Sequence, residues 1–154
     1  MAMKKLAIIS DTHGMLRPEV LEQIEGCDMI LHGGDINKQD ILDQLNRIAP
    51  VYAVRGNNDR EWAEHIPTSL HLKIEDLHFF IIHNKRQVPK DLPDVDVVIF
   101  GHSHRYTEQL IDGTFWLNPG SCGRRRFNQE ITFALMTVDG KTYQTEKILI
   151  PQHE

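Results

Sequence analysis

The side chains best suited to chemistry in this sequence are aspartates, histidines and asparagines, and they fall into five short groups. These are Asp11-Thr12-His13-Gly14, His32-Gly33-Gly34-Asp35, Arg55-Gly56-Asn57-Asn58-Asp59, His83-Asn84 and Gly101-His102-Ser103-His104. Nine histidines is a high count for 154 residues. Carboxylate, amide and imidazole donors without a thiolate suit manganese, iron, zinc, nickel or another first-row divalent ion better than a thiophilic one. Seven such ligands would exceed what one tetrahedral zinc needs, but they fit two ions sharing a carboxylate. Asp11 and His13 are spaced by two, as are His102 and His104. On an extended strand end that spacing puts both members of a pair on one side. Each fragment also has a plainer reading: a cap for Asp-x-His, a turn for Gly-Gly-Asp or Gly-Asn-Asn-Asp, a half-buried histidine for His83. Their conjunction is what points to a metal site.

The elements around these groups explain how they could meet. Leu6 to Ser10, Asp28 to His32 and Val51 to Arg55 are apolar runs of strand length. Between them lie two predicted helices: Pro18 to Ile24, with proline at its start and Gly26 just past its end, and Gln39 to Ala49, stopped by Pro50. That order implies parallel strands with crossover helices. Leu70 to Ile74 and Leu77 to Ile82 flank a Glu75-Asp76 turn, and Val95 to Phe100 reads as a strand buried on both faces. Gln109 to Ile111 and Thr114 to Leu117 flank Asp112-Gly113, and Phe133 to Val138 and Thr142 to Ile148 flank Asp139-Gly140-Lys141. Each of the five polar groups directly follows a strand, and in parallel α/β sheets the carboxyl ends of strands line one crevice. Glycines beside the groups permit tight turns and close backbone approach.

Composition sets the boundaries. Apolar residues make up 40% and charged residues 25%, with no low-complexity linker and no internal repeat, so residues 1–154 read as one domain. A net charge of −5 argues against a general nucleic-acid binder, and Arg124-Arg125-Arg126 is the one dense basic run. Cys27 and Cys122 stand far apart outside any CxxC pattern, which excludes a disulfide framework and a thiolate zinc site. The apolar run Leu6 to Ile9 is too short for a signal sequence, and no run reaches membrane-spanning length. The expectation is a cytoplasmic protein with no membrane partner.

The ordered set Asp11-Thr12-His13, Gly34-Asp35, Gly56-Asn57, His83 and Gly101-His102-Ser103-His104 resembles the calcineurin-like metallophosphoesterase superfamily. With the compact length and Asn118-Pro119-Gly120-Ser121, it is similar to the small YfcE-type phosphodiesterase branch, from Lys4 to about Leu149. The resemblance implies a four-layer α/β/β/α sandwich with two packed mixed sheets. It also implies a binuclear centre: Asp11, His13 and His104 on one ion, Asn57, His83 and His102 on the other, Asp35 bridging both, manganese the first choice. Asp35, Asn57, Asn58 and His104 are the residues it puts at the reaction. Three positions depart from the superfamily pattern. Asn58 stands where many members have a leaving-group histidine, although the YfcE-type branch often lacks it too. Ile36-Asn37-Lys38 follows Gly-Asp where an acidic residue is usual, and Asn84 follows His83 where glycine is usual.

The activity so implied is hydrolysis of a small phosphate ester, most simply a diester, by metal-bound hydroxide. Without a proton donor at residue 58, good leaving groups are favoured. Within enzymes the alternative is a nucleotide pyrophosphatase or phosphomonoesterase. From another class comes a Vps29-like protein-binding scaffold of the same fold, against which the complete ligand set argues. His32 and Asp59 are candidates for orienting ligands or for plain loop hydrogen bonding. Of Arg55, Lys85, Arg86 and Arg105, one is a candidate for a phosphate contact, and the plainer reading leaves most of them solvated. Ser121 and Cys122 invite a nucleophile, but no histidine is spaced to serve them. Pairing of copies into a homo-oligomer, through strand edges or the hairpin after Gly101, stays open.

Overall fold

Strands alternate with short helices in the first third of the chain because apolar runs there end in glycine-rich turns. A computed structural model describes residues 3–92, 94–124 and 129–151. It follows the order β1 (Lys4–Ile9), α1 (Pro18–Ile24), β2 (Met29–His32), α2 (Gln39–Asn46) and β3 (Val51–Ala53). Then come β4 (Ser69–Ile74), β5 (Leu77–Ile82), β6 (Val97–Ile99), β7 (Tyr106–Ile111), β8 (Thr114–Pro119), β9 (Ile131–Asp139) and β10 (Thr142–Ile150). Single 3-10 turns occupy Glu61–Ala63 and Lys85–Gln87. Among the described residues no helix is long and apolar enough to cross a membrane.

Two mixed five-stranded sheets result, ordered β10-β9-β1-β2-β3 and β4-β5-β6-β8-β7. The crossovers through α1 and α2 make β1, β2 and β3 parallel, while tight turns make β4-β5, β7-β8 and β9-β10 antiparallel. β5 and β6 are parallel as well. Period-two alternation then assigns the faces. Ala7 and Ile9 of β1 pack with Val20, Ile24, Ile41 and Leu45 of the helices. Leu6 and Ile8 point the other way, against Phe79, Ile81, Val97, Ile99 and Leu117 of the second sheet. β1 is therefore covered on both faces. Each large side chain fully buried here, such as Phe79 or Ile81, contributes roughly 1.5–3 kcal/mol.

The outer layers are unequal. Both α-helices of the described residues cover the first sheet. The outer face of the second is flanked by the Lys85–Gln87 turn and the loop after it, whose Val88, Pro89 and Leu92 line a groove with Val98 and Trp116. α2 also stops at Asn46, three residues short of the apolar pattern. The chain tightens there: the Ile48 and Ala49 amides both donate to the Leu45 carbonyl, while Asn46 spans the end through Leu42 O and the Val51 amide. Ala49 stays buried, so the pattern reports packing beyond the helix itself.

Candidate metal centre

The five polar groups follow the carboxyl ends of β1, β2, β3, β5 and β6, and backbone pairing continues past the strands to join their loops. The Asp11 amide donates to Gly34 O (2.9 Å), the His13 amide to Asp35 O (3.0 Å), and the Gly101 amide to His83 O (3.0 Å). Such close passage leaves no room for certain side chains. A Cβ on Gly56 would collide with the Asp35 backbone and carboxylate, and one on Gly101 with Ser10 Oγ and Asp11 Oδ2.

Four buried side chains meet at the centre. One donor atom from each of Asp11, His13, Asp35 and His104 lies within 4.8 Å of all the others, a group able to hold a metal ion. His13 Nε2 and His104 Nε2 are 3.1 Å apart, and His104 Nε2 is 3.4 Å from Asp11 Oδ1. His83 approaches from the other side, its Nε2 3.3 Å from Asp35 Oδ2 and 4.0 Å from Asp11 Oδ1. His102 packs edge-on against His83, with ring centroids 5.2 Å apart, and its amide donates to Asp11 Oδ2. Asn57 is exposed and lines a cavity of about 190 Å³ together with Arg55, Thr68, His83, Asn84 and Gln87. His13 and His104 thus stand in one half of the site, and His83 with His102 in the other.

The spacing-of-two argument needs correcting in one respect. Asp11, His13, Asp35, His102 and His104 have φ of 53°, 47°, 55°, 75° and 65°, in the left-handed region and not the extended one. Asp11 and His13 still converge, but His102 and His104 diverge into the two halves. Such backbone is unfavourable for residues with a Cβ and persists where surrounding hydrogen bonds over-determine it.

Those bonds also aim the ligand atoms. Asp11 Oδ2 accepts from Ser10 Oγ (2.8 Å) and the His102 amide (3.1 Å), which leaves Oδ1 buried without a hydrogen-bond partner. His83 Nδ1 donates to Gly33 O (2.7 Å), turning Nε2 inward, where it too is buried and lacks an aligned partner. A buried carboxylate oxygen without a hydrogen-bond donor, with a buried imidazole nitrogen facing the same space, fits a cation, because an unpaired buried group otherwise carries its full desolvation cost. The charged groups also act on one another. Burial opposes ionisation of Asp35, yet His83, the Asn58 amide and His13 together bring its pKa down to about 2. Burial likewise opposes a charged His83, and Asp35 and Asp11 outweigh it, raising the pKa above the ordinary value.

Of the two readings open for His32 and Asp59, the structure shows loop hydrogen bonding. Asp59 Oδ2 accepts from the Ile36 (3.1 Å) and Gly56 (3.0 Å) amides and Oδ1 from the Asn37 amide (2.7 Å), tying the Asp35 loop to the Asn57 loop. This answers the unusual Ile36-Asn37-Lys38 segment, whose backbone supplies the anchoring. Buried His32 accepts the Gly34 amide at Nδ1 and meets Thr12 Oγ1 with Nε2 at 3.0 Å, and burial lowers its pKa to about 4, so it is neutral. Asn58 directs both its amide groups at Asp35, backbone N to Oδ1 (2.9 Å) and Nδ2 to Oδ2 (3.1 Å). Ser121 Oγ donates to Asp11 O, a structural role, and burial pushes the Cys122 thiol up to about 12. Asn118 was not picked out by residue-type reasoning. Fully buried, it donates to Gly101 O and Ser103 Oγ and so fixes the Gly-His-Ser-His turn. Its signal was the Asn-Pro-Gly-Ser run that follows. Of the basic run, Arg124 is exposed, and Arg125 and Arg126 lie outside the described residues.

A fold of two mixed sheets with metal-capable Asp and His side chains at the strand ends has a counterpart among known families. Residues 3–141 match the calcineurin-like phosphoesterase superfamily domain, and the chain belongs to that family. Among its relatives is a protein of Methanothermobacter thermautotrophicus named "Probable metallophosphoesterase", 32% identical over 157 residues that cover 93% of this chain and 91% of the relative. The phosphodiesterase YfcE of Escherichia coli K12 is 27% identical, with 89% of each chain covered. In structure, Chaetomium thermophilum Vps29 aligns with a TM-score of 0.78 over 95% of this chain and 97% of its own, at 21% identity, a likeness of fold alone.

Proposed function

We propose that the chain is a two-metal phosphodiesterase, with Asp11, His13 and His104 on one ion, Asn57, His83 and His102 on the other, and Asp35 shared. The observation that carries this reading is Asp11 Oδ1, buried without a hydrogen-bond partner and 3.4 Å from His104 Nε2, in a group where donor atoms of Asp11, His13, Asp35 and His104 lie within 4.8 Å of one another. Divalent ions bound there supply an activated water near neutral pH and polarise phosphate oxygens. The chain's own residues do the rest. Ser10 and the His102 amide hold Asp11 with one oxygen inward, and Gly33 O fixes the His83 ring. Asn58 holds Asp35 from its backbone and its side chain. Since an amide is no proton donor for a departing alkoxide, esters with good leaving groups are preferred. Family membership and relatives named as phosphodiesterases support the same reading.

The test is hydrolysis of bis(p-nitrophenyl) phosphate and of p-nitrophenyl phosphate by metal-stripped protein with manganese restored. Diester turnover that needs the metal and is lost in Asp35→Ala supports the proposal. Monoester turnover in its place supports a phosphomonoesterase. If both esters stay intact under every divalent ion, the phosphoesterase reading fails and a Vps29-like scaffold takes its place.

A further inference from the structure

Beside His102 lies a cavity of about 470 Å³, larger than the one beside Asn57 and within the range of small-molecule pockets. Its lining is one-sided in charge. Lys85 and Arg86 contribute, as do Phe100, His102, Ser103 and Gln109, and no aspartate or glutamate does. The sequence as a whole carries 22 acidic against 17 basic residues, so a cavity with two cations and no carboxylate departs from its surroundings. Strand alternation accounts for it: Thr107 and Gln109 of β7 line the cavity, and Glu108 between them bonds instead to the Tyr106 hydroxyl.

Side-chain contacts position Lys85, and a capped turn carries Arg86. Asn84 is extended at φ −105°, so the glycine usual in the family is not needed for backbone freedom. Its Oδ1 accepts the Arg86 amide at 3.0 Å, capping the 3-10 turn from which Lys85 and Arg86 project. The Lys85 ammonium stands 5.6 Å from the Phe100 ring centroid and 6.0 Å from that of Trp116, and donates to Gln109 Oε1 at 3.4 Å. Such contacts orient the side chain while leaving donors for a ligand. Asn84 also lines the smaller cavity with Asn57 and His83. A diester has two arms, and each cavity includes one or more of the proposed ligands.

We infer that the larger cavity is an anion-selective subsite, taking the arm of a phosphodiester that carries a further phosphate group, with Lys85 and Arg86 as its charged donors. The inference rests on the phosphodiesterase reading and adds a substrate class to it. Ammonium and guanidinium together with the Ser103 hydroxyl suit a group with several anionic acceptors, as a phosphate has.

The experiment compares two p-nitrophenyl esters of one nucleoside monophosphate, differing only in a second phosphate on the sugar. With the manganese-loaded protein, that phosphate raises kcat/KM about tenfold at low salt, mainly through KM, and added salt erodes the gain. The double variant Lys85→Ala, Arg86→Ala brings the ratio to about one, Asn84→Gly gives an intermediate value, and Lys141→Ala, on the distant β9–β10 turn, keeps the full ratio. A ratio near one in the wild type, or an unchanged ratio in the double variant, overturns the subsite. Equilibrium binding of the two product nucleotides, with and without manganese, needs no turnover. A binding preference that depends on Lys85 and Arg86, with neither ester hydrolysed, upholds the subsite and overturns the phosphodiesterase reading. No preference in binding or turnover overturns the subsite alone.

Discussion

Removing the Asp59 carboxylate should loosen two of the site's loops at once. The side chain is 6% exposed and accepts three backbone N–H groups, from Ile36, Asn37 and Gly56. Ile36 and Gly56 are buried, so water cannot take over their bonds, whereas Asn37 is half-buried and can recover part of its loss. At about 1.5 kcal/mol for each stranded amide, Asp59→Ala should cost about 3 kcal/mol of stability. Asp59→Asn keeps one acceptor oxygen but turns an NH₂ toward an amide donor, and should cost about 1–2 kcal/mol. Urea unfolding of the chelated protein, followed by circular dichroism, measures both. Manganese affinity should fall by about tenfold or more in Asp59→Ala, because the Asp35 and Asn57 loops lose their common anchor. A cost below about 1 kcal/mol for Asp59→Ala, with manganese affinity unchanged, would refute the claim that this carboxylate organises the site.

Three further outcomes follow from the same geometry. His32 is neutral when folded, with a pKa near 4 against 6.5 for a free imidazole, so the unfolded chain takes up its proton first as pH falls. Stability in chelator should drop by about 3 kcal/mol from this residue between pH 6.5 and 4, then level off, and His32→Gln should remove that part of the slope; an unchanged slope counts against it. Asn58→His should raise turnover most for diesters with poor leaving groups, and a parallel rise for every ester would deny the histidine a proton-transfer role. Cys122→Ser should retain activity and thiol reagents should not inactivate the native protein, since burial pushes this thiol up to about 12; rapid inactivation that Cys122→Ser abolishes would contradict the account.

Much of the architecture can be read from residue order. β5 and α1 coincide with their apolar runs because turns or a proline and a glycine mark both ends. β7 is longer than its run because Tyr106 to Gln109 pair with β8, and pairing across a ladder leaves no apolar signature on an exposed edge strand. The metal-capable side chains were identifiable by type and by their place after strands. Their backbone was not: left-handed φ at Asp11, His13, Asp35 and His102 goes with hydrogen bonds between loops remote in sequence, and His104 shares that conformation. For the same reason the Asn-Pro-Gly-Ser run marked Asn118 without revealing its role, which is to hold the turn at Gly101 and Ser103.

The most direct test of the metal-centre reading is to count manganese ions bound by stripped protein while following diester hydrolysis, in the wild type and in Asp35→Ala. The account predicts two ions per chain with turnover appearing as they bind, and fewer ions with no turnover in the variant. Stoichiometric binding without hydrolysis in the wild type, or hydrolysis that survives in Asp35→Ala, would contradict it.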